Sequence, residues 1–281
     1  MLLPPELPLS ARAFEFLANL VYERSRIRLG ADRQSLVTSR LRQRVQSLGL
    51  ADYEEYCALL SAPGSDDEID SLIDLISTNH THFFREPAHF DLLATHLLPR
   101  LAQGRQSTLE PLRLWSAAAS SGEEAYTMAI VLGEFTRTHP WLHWQIDASD
   151  ISQRMLARCR SGIYEEEKVV LPAAEWRQRW FQRGIGEREG WLRVKQDLRR
   201  HVAVHWVNLF QDAYPVARGQ DVIFCRNVMI YFDVPSRTHL VERLTDMLAP
   251  GGYLFVGHSE SLIGIPHRLA PVWPSVYMRP E

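Results

Sequence analysis

The chain has 281 residues, with 31 Lys and Arg against 34 Asp and Glu and a hydrophobic content of 46%. That length allows a sizeable core with a smaller domain beside it, and the formal net charge of -3 argues against a protein that lives on nucleic-acid phosphates. Three scattered cysteines, Cys57, Cys159 and Cys225, exclude a disulfide framework, and Cys225 lies in an apolar run that reads as core. No segment approaches the ~20 unbroken apolar residues of a membrane span, and Met1-Leu2-Leu3-Pro4-Pro5 is no signal peptide, so a soluble cytoplasmic protein without membrane insertion is expected.

From residue 7 to about 90 the apolar residues recur at helical spacing: Phe14, Leu17, Leu20 and Val21, then Leu41, Val45 and Leu48, then Ile69, Leu72, Ile73 and Ile76. A helical domain over residues 1–90 is expected. Its basic run, Arg24, Arg26, Arg28, Arg33, Arg40, Arg42 and Arg44, is either a solvated face or a surface for an acidic partner.

The segment Leu112–Tyr126, LRLWSAAASSGEEAY, is an apolar strand that stops at small residues and opens a helix with two acids. It is not G-x-G-x-x-G, and Glu123 and Glu124 stand where a pyrophosphate would rest on the helix N-terminus, so phosphate is disfavoured. Acids there suit a cationic nucleoside cofactor such as S-adenosylmethionine, and they also favour the helix dipole. Trp144–Asp150 reads as a second strand ending in an acid; Asp150 can accept both ribose hydroxyls or N-cap the helix starting near Ser152, with Asp147 a less well-placed competitor.

Beyond it, about Ser161 to Arg200 is too long for an ordinary connection. Trp176, Trp180 and Phe181 suggest a helix there, and Trp191–Val194 a strand after the glycine-bearing RGIGEREG, which reads as a hairpin connection. Val202–Phe210, Asp221–Asn227 and Gly251–Gly257 are further strand-length apolar runs, Pro235 to Leu248 is helical, and Arg268–Arg279 reads as a final hairpin. Strands alternating with helices imply an α/β fold with a doubly wound, mostly parallel sheet over residues 91–281, interrupted by a small antiparallel insertion at about 161–200.

Five motifs in order, TNHTHFFRE at Thr78–Glu86, WSAAASSGEEAY at Trp115–Tyr126, ASD at Ala148–Asp150, FCRNVMIYF at Phe224–Phe232 and GHSE at Gly257–Glu260, resemble the CheR-type chemotaxis receptor methyltransferases. The resemblance implies a class I, Rossmann-like fold and methyl transfer from S-adenosylmethionine, leaving S-adenosylhomocysteine, to glutamate side chains on the cytoplasmic helices of transmembrane chemoreceptors. It implies cofactor contacts from Asn79, Thr81, Arg85, Glu124, Asp150, Asn208, Leu209, Arg226 and Asn227, with Arg85 and Tyr231 positioning the substrate carboxylate. It further implies that the insertion can take a short receptor C-terminal tether as an added strand, with Arg188 and Arg193 as candidate carboxylate contacts.

The chemistry agrees with that implication. A surface glutamate is already anionic at neutral pH and needs no general base, so no Ser/His/Asp or Cys/His relay is required. His80, His82, His89 and His96 match no usual ligand spacing and no metal is expected. A monomer with no nucleic-acid partner is expected, since the turn after the fourth strand, RNVMIYF, lacks the proline pair usual for base methylation. The competing readings are a cofactor-sensing adaptor and a methyltransferase acting on nucleic acid or a small molecule. For Arg85 the plain alternative is pairing with Glu86 or capping, for Tyr231 a core position, and for Asn208 a turn.

Overall fold

The computed structural model describes residues 8–103, 105 and 110–281, which divide into two compact units. The first runs to Thr78 and also takes in Tyr231–Ser236; the second comprises Asn79–Ile230 and Arg237–Glu281. The division falls ahead of the boundary near residue 90 expected from periodicity. The helices that follow Glu86 carry the same apolar spacing but bury it in the second unit's core.

The first unit contains α1 (Ala11–Ser25), α2 (Gln34–Ser47), α3 (Tyr53–Ser61) and α4 (Asp66–Ile76). The 3.6-residue spacing puts Leu17, Val21, Val37, Leu41, Val45 and Leu72 on inward faces, each with no exposed surface. Leu48, expected on that stripe, is instead the C-cap residue of α2 and is exposed. Asp52 caps α3 by accepting from the Glu55 amide, and the Glu55 carboxylate accepts from the Ala51 amide, a capping box displaced by one residue.

Two of the arginines proposed for a docking face are used inside this unit. Arg40 donates to the carbonyls of Ile76 and Ser77, satisfying the C-terminal end of α4 and complementing its dipole. Arg44 forms a two-pronged pair with Glu68 in the first turn of α4, and Tyr56 donates to the same carboxylate at 2.8 Å. Arg24 pairs with Asp66 at the surface. The basic run is therefore in good part the brace between α2 and α4, a long-range role that charge spacing along one helix does not reveal.

The second unit continues with α5 (Pro87–Leu92), which passes through a π-helical turn at Leu93–Leu97 into α6 (Leu98–Gln103), then β1 (Leu112–Ser116), α7 (Glu123–Thr136), β2 (Trp144–Asp150) and α8 (Gln153–Ser161). The insertion supplies β3 (Ile163–Glu165), α9 (Ala174–Trp180), β4 (Phe181–Arg183), β5 (Trp191–Val194) and α10 (Gln196–Arg199). Phe181 leaves the expected helix and opens β4, where its ring is buried against Phe83. The chain then forms β6 (Val202–Trp206), β7 (Gln220–Cys225), α11 (Val234–Met247), β8 (Leu248–Val256) and the closing hairpin β9 (Ala270–Trp273) and β10 (Val276–Met278).

The main sheet has the order β6-β2-β1-β7-β8-β10-β9, with its first five strands parallel and β10 running antiparallel to its neighbours β8 and β9. The chain winds outward from β1 to β2 and β6 on one side and from β7 to β8 on the other. The switch between β1 and β7 opens a crevice at the carboxyl ends of these strands, the ordinary ligand position in such sheets. A separate three-stranded antiparallel sheet, β3-β5-β4, carries the insertion. Val222, Phe224, Leu114 and Ile146 are fully buried, as strands covered on both faces require.

Arg44→Ala leaves Glu68, whose side chain is only 12% exposed, without its cation. A loss of about 1 kcal/mol in unfolding free energy by urea titration is expected, between the values for exposed and buried pairs.

Candidate functional site

The crevice is built from loops after β1, β2 and β7. After β1 the chain turns through Ala117–Gly122, where the Ala119 amide donates to the Ser149 carbonyl and the Ala117 amide to the Phe224 carbonyl, each at 2.8 Å. Gly122 has φ +98°, and a Cβ there would lie 2.6 Å from Cys159 Sγ and 3.0 Å from the Tyr164 hydroxyl, so only glycine fits before α7. Ser120 also lies in the left-handed region, at φ +49°. That twist aims its amide at Asp150.

Asp150 is 8% exposed at the end of β2. Its Oδ2 accepts from the Ser120 amide at 2.8 Å and its Oδ1 from the Ser152 amide at 2.9 Å. The N-cap of α8 is Ser152, whose hydroxyl accepts from the Met155 amide, so the capping role weighed for Asp150 belongs to its neighbour. Asp147 is a structural residue: its carboxylate accepts from Gln220 and holds His205 of β6 at 2.9 Å.

Glu123 and Glu124 have separate surroundings. Glu123 accepts from the Ser121 hydroxyl within the loop, while Glu124 accepts from Ser116 Oγ at 2.7 Å and from Arg226 at 3.2 Å. Burial raises both carboxyls above the ordinary range, opposed at Glu124 by Arg226 and Ser116. These acids leave no ready seat for a phosphate and suit a positively charged ligand.

Arg226 follows β7, and its side chain is 1% exposed. It donates to Glu124, to Glu86 Oε2 at 2.9 Å and to the Arg85 carbonyl at 2.6 Å, and its guanidinium stacks over Phe90 and Phe224. Arg226, expected to contact the cofactor, is thus a buried cation bridging two acids. Asn227, at φ +59°, donates its side-chain amide to Glu86 and its backbone amide to Glu260. Glu260 is 4% exposed and accepts backbone amides of Gly257, Asn227 and Ile230; burial raises its carboxyl, against those donors.

Asn79 and Thr81 are half-buried, and the Asn79 carbonyl accepts from the Ser120 hydroxyl, which joins this segment to the loop after β1. Arg85 donates to the His80 carbonyl at 2.7 Å and does not pair with Glu86, which Arg226 holds instead. Asn208 and Leu209 lie just beyond β6, which ends at Trp206 rather than Phe210. The Asn208 side-chain oxygen accepts from the Phe210 amide, the turn bond that this residue type favours, and Leu209 is 7% exposed. Tyr231 belongs to the helical unit, where its carbonyl accepts from the Arg28 amide at 2.9 Å.

Sequence reasoning missed Glu86 and Glu260 as site-building acids. Both sit inside quoted motifs, but their partners lie about 140 and 33 residues away, as the Arg226–Glu86 and Asn227–Glu260 bonds show. The insertion sheet bears its own groove of about 400 Å³, lined by residues including Arg183, Ile185, Arg188, Trp191 and Arg193 beside the edge strand β4. Ile185 is 86% exposed at its rim.

A parallel sheet with its crevice at the β1/β7 switch, an acid aimed by the loop after β1, and buried carboxylates where a phosphate would lie define a Rossmann-like methyltransferase that uses S-adenosylmethionine. Residues 79–277 match the family described as "CheR methyltransferase, SAM binding domain", and residues 12–77 match "CheR methyltransferase, all-alpha domain". The chain belongs to the CheR methyltransferase family. It is 39% identical to the chemotaxis protein methyltransferase of Escherichia coli (strain K12) over 96% of this chain and 92% of that protein. It is 38% identical to chemotaxis protein methyltransferase 2 of Pseudomonas aeruginosa, over 94% and 91%. It is 34% identical to the chemotaxis protein methyltransferase of Borreliella burgdorferi, over 94% and 92%.

Burial alone would raise the Glu86 carboxyl, but the Asn227 amide and Arg226 hold it at about 2, below its ordinary 4.5. A folded-state value below the unfolded one contributes stability that is present above about 4.5 and is lost as pH falls towards about 2. Glu86→Gln is expected to cost about 1–2 kcal/mol at neutral pH, less than the full shift because solvent screens a partly exposed group, and to remove that part of the acid dependence. Thermal unfolding of both proteins across that pH range checks it.

Proposed function

We propose that this enzyme methylates glutamate side chains on the cytoplasmic helices of chemoreceptors, forming glutamate 5-O-methyl esters, and acts as a cytoplasmic monomer. The observation that carries the reading is Asp150, fixed at the end of β2 by the Ser120 and Ser152 amides beside a loop too tight for larger side chains. A carboxylate offers about four lone-pair directions, so an oriented one can accept from a ribose as well as from backbone.

S-adenosylmethionine supplies a methyl group on a cationic sulfur. Asp150 takes the ribose hydroxyls, Asn208 and Leu209 the adenine, and Asn79, Thr81 and Arg85 close the opposite side. Glu124 balances the cationic end of the ligand, while Arg226 and Asn227 act from behind it by holding Glu124 and Glu86 in place. The receptor glutamate arrives ionised, so the protein's work is alignment: Arg85 and the Tyr231 hydroxyl orient its carboxylate without neutralising it. When bound, S-adenosylmethionine would supply the methyl group to the oxygen that Arg85 and Tyr231 hold in line.

The insertion groove takes a receptor C-terminal peptide by strand addition at β4, with Arg188 and Arg193 meeting its acidic groups. The exposed Ile185 and Trp191 offer apolar contact to alternate side chains of such a strand. With Arg40 and Arg44 engaged internally, docking on the receptor helices relies on exposed cations such as Arg28 rather than on the whole basic run.

Asp150→Ala is expected to weaken S-adenosylmethionine binding by about 1.5–3 kcal/mol in calorimetry; unchanged affinity removes the ribose assignment. With receptor fragments and labelled cofactor, mild base should release the label as methanol, as esters do and methylated amides or bases do not. Tyr231→Phe should slow that labelling roughly tenfold or more with cofactor affinity intact. Paired Arg188→Ala and Arg193→Ala substitutions should weaken only tether-bearing receptors, which competition with the free peptide measures.

A further inference from the structure

His89 is 2% exposed, yet neither ring nitrogen has a hydrogen-bond partner. Buried polar atoms in folded proteins are almost always satisfied, and an exception asks for an explanation such as a bound ion. Its Nδ1 lies 3.4 Å from Glu86 Oε2. The exposed His258 ring packs edge-on against it with centroids 4.7 Å apart, and one donor atom from each of Glu86, His89 and His258 lies within 4.8 Å of the others.

We propose that Glu86, His89 and His258 form a binding site for one divalent transition-metal ion of the zinc class. Ligand bonds of about 2.0–2.1 Å in a tetrahedral arrangement set adjacent donors about 3.3 Å apart, which the Glu86–His89 pair already meets. The wider approach closes by rotation of the exposed His258 side chain. Two imidazoles and one carboxylate select zinc, cobalt or nickel over magnesium or calcium.

The surroundings support the donor set. Glu86 is oriented by Arg226 and Asn227, as outer-shell partners commonly orient a ligating carboxylate. Arg226 does not leave the pocket cationic, because Glu124 binds its other arm. His258 supplies the path from solvent, and its backbone amide approaches Glu86 Oε2 at 3.3 Å. The ion would tie the segment entering α5 to the turn after β8.

The histidine spacing gave no sign of this, because His80, His82 and His96 are not part of the set and His258 lies far along the chain. Tag-free enzyme titrated with Zn²⁺ by calorimetry, and with Co²⁺ by visible absorption, tests it. One equivalent is expected, with the d–d bands of a low-coordinate nitrogen/oxygen site and a raised Tm. His258→Ala, at an exposed position that does not endanger folding, should weaken binding at least tenfold, and a His80→Ala, His82→Ala double variant should not. Binding that is absent, that ignores His258→Ala, or that is lost in the His80 and His82 variant overturns the site.

Discussion

A single buried guanidinium holds the catalytic crevice together. Arg226 enters from the end of β7 and reaches Glu124 on α7, Glu86 ahead of α5 and the Arg85 carbonyl. Three segments remote in sequence thereby meet on one cation. An unpaired guanidinium at that depth would cost several kcal/mol, so the acids are obligatory partners and not incidental neighbours. Phe90 and Phe224 cover its faces, which excludes water and strengthens the charged bonds.

That arrangement explains why the enzyme needs few reactive residues. On the proposed reading, with an ionised glutamate as nucleophile and an activated methyl donor, catalysis reduces to holding two partners in line. A rigid electrostatic frame behind the crevice serves that end better than a proton relay. Glu260 extends the frame: by gathering backbone amides of Gly257, Asn227 and Ile230 it fixes the turn after β8 against the end of β7.

Several expectations were legible because they depend on neighbours in sequence. Strand β2 ends at Asp150, the acid that closes the WQIDASD segment, and Gly122, where a Cβ would meet Cys159 and Tyr164, marks the turn into α7. Strand ends were less legible. Val207–Phe210 is as apolar as β6, yet it leaves the sheet as a turn pinned by Asn208, since pairing with β2 stops at Asp150–Trp206. Arg40 and Arg44 read as part of a solvated or docking face because helix periodicity shows which residues share a side but not which helix packs there.

Local apolar period and turn chemistry gave the alternation of the main strands and helices, and five ordered motifs carried the family resemblance from which the cofactor class was expected. Tertiary structure alone decided that Arg226 is buried between Glu86 and Glu124, that Ser152 and not Asp150 caps α8, and that His89 meets Glu86 and His258. Those outcomes depend on which distant segments share a low-dielectric interior. Burial and pairing of charge are properties of that shared space, and no spacing along the chain encodes them.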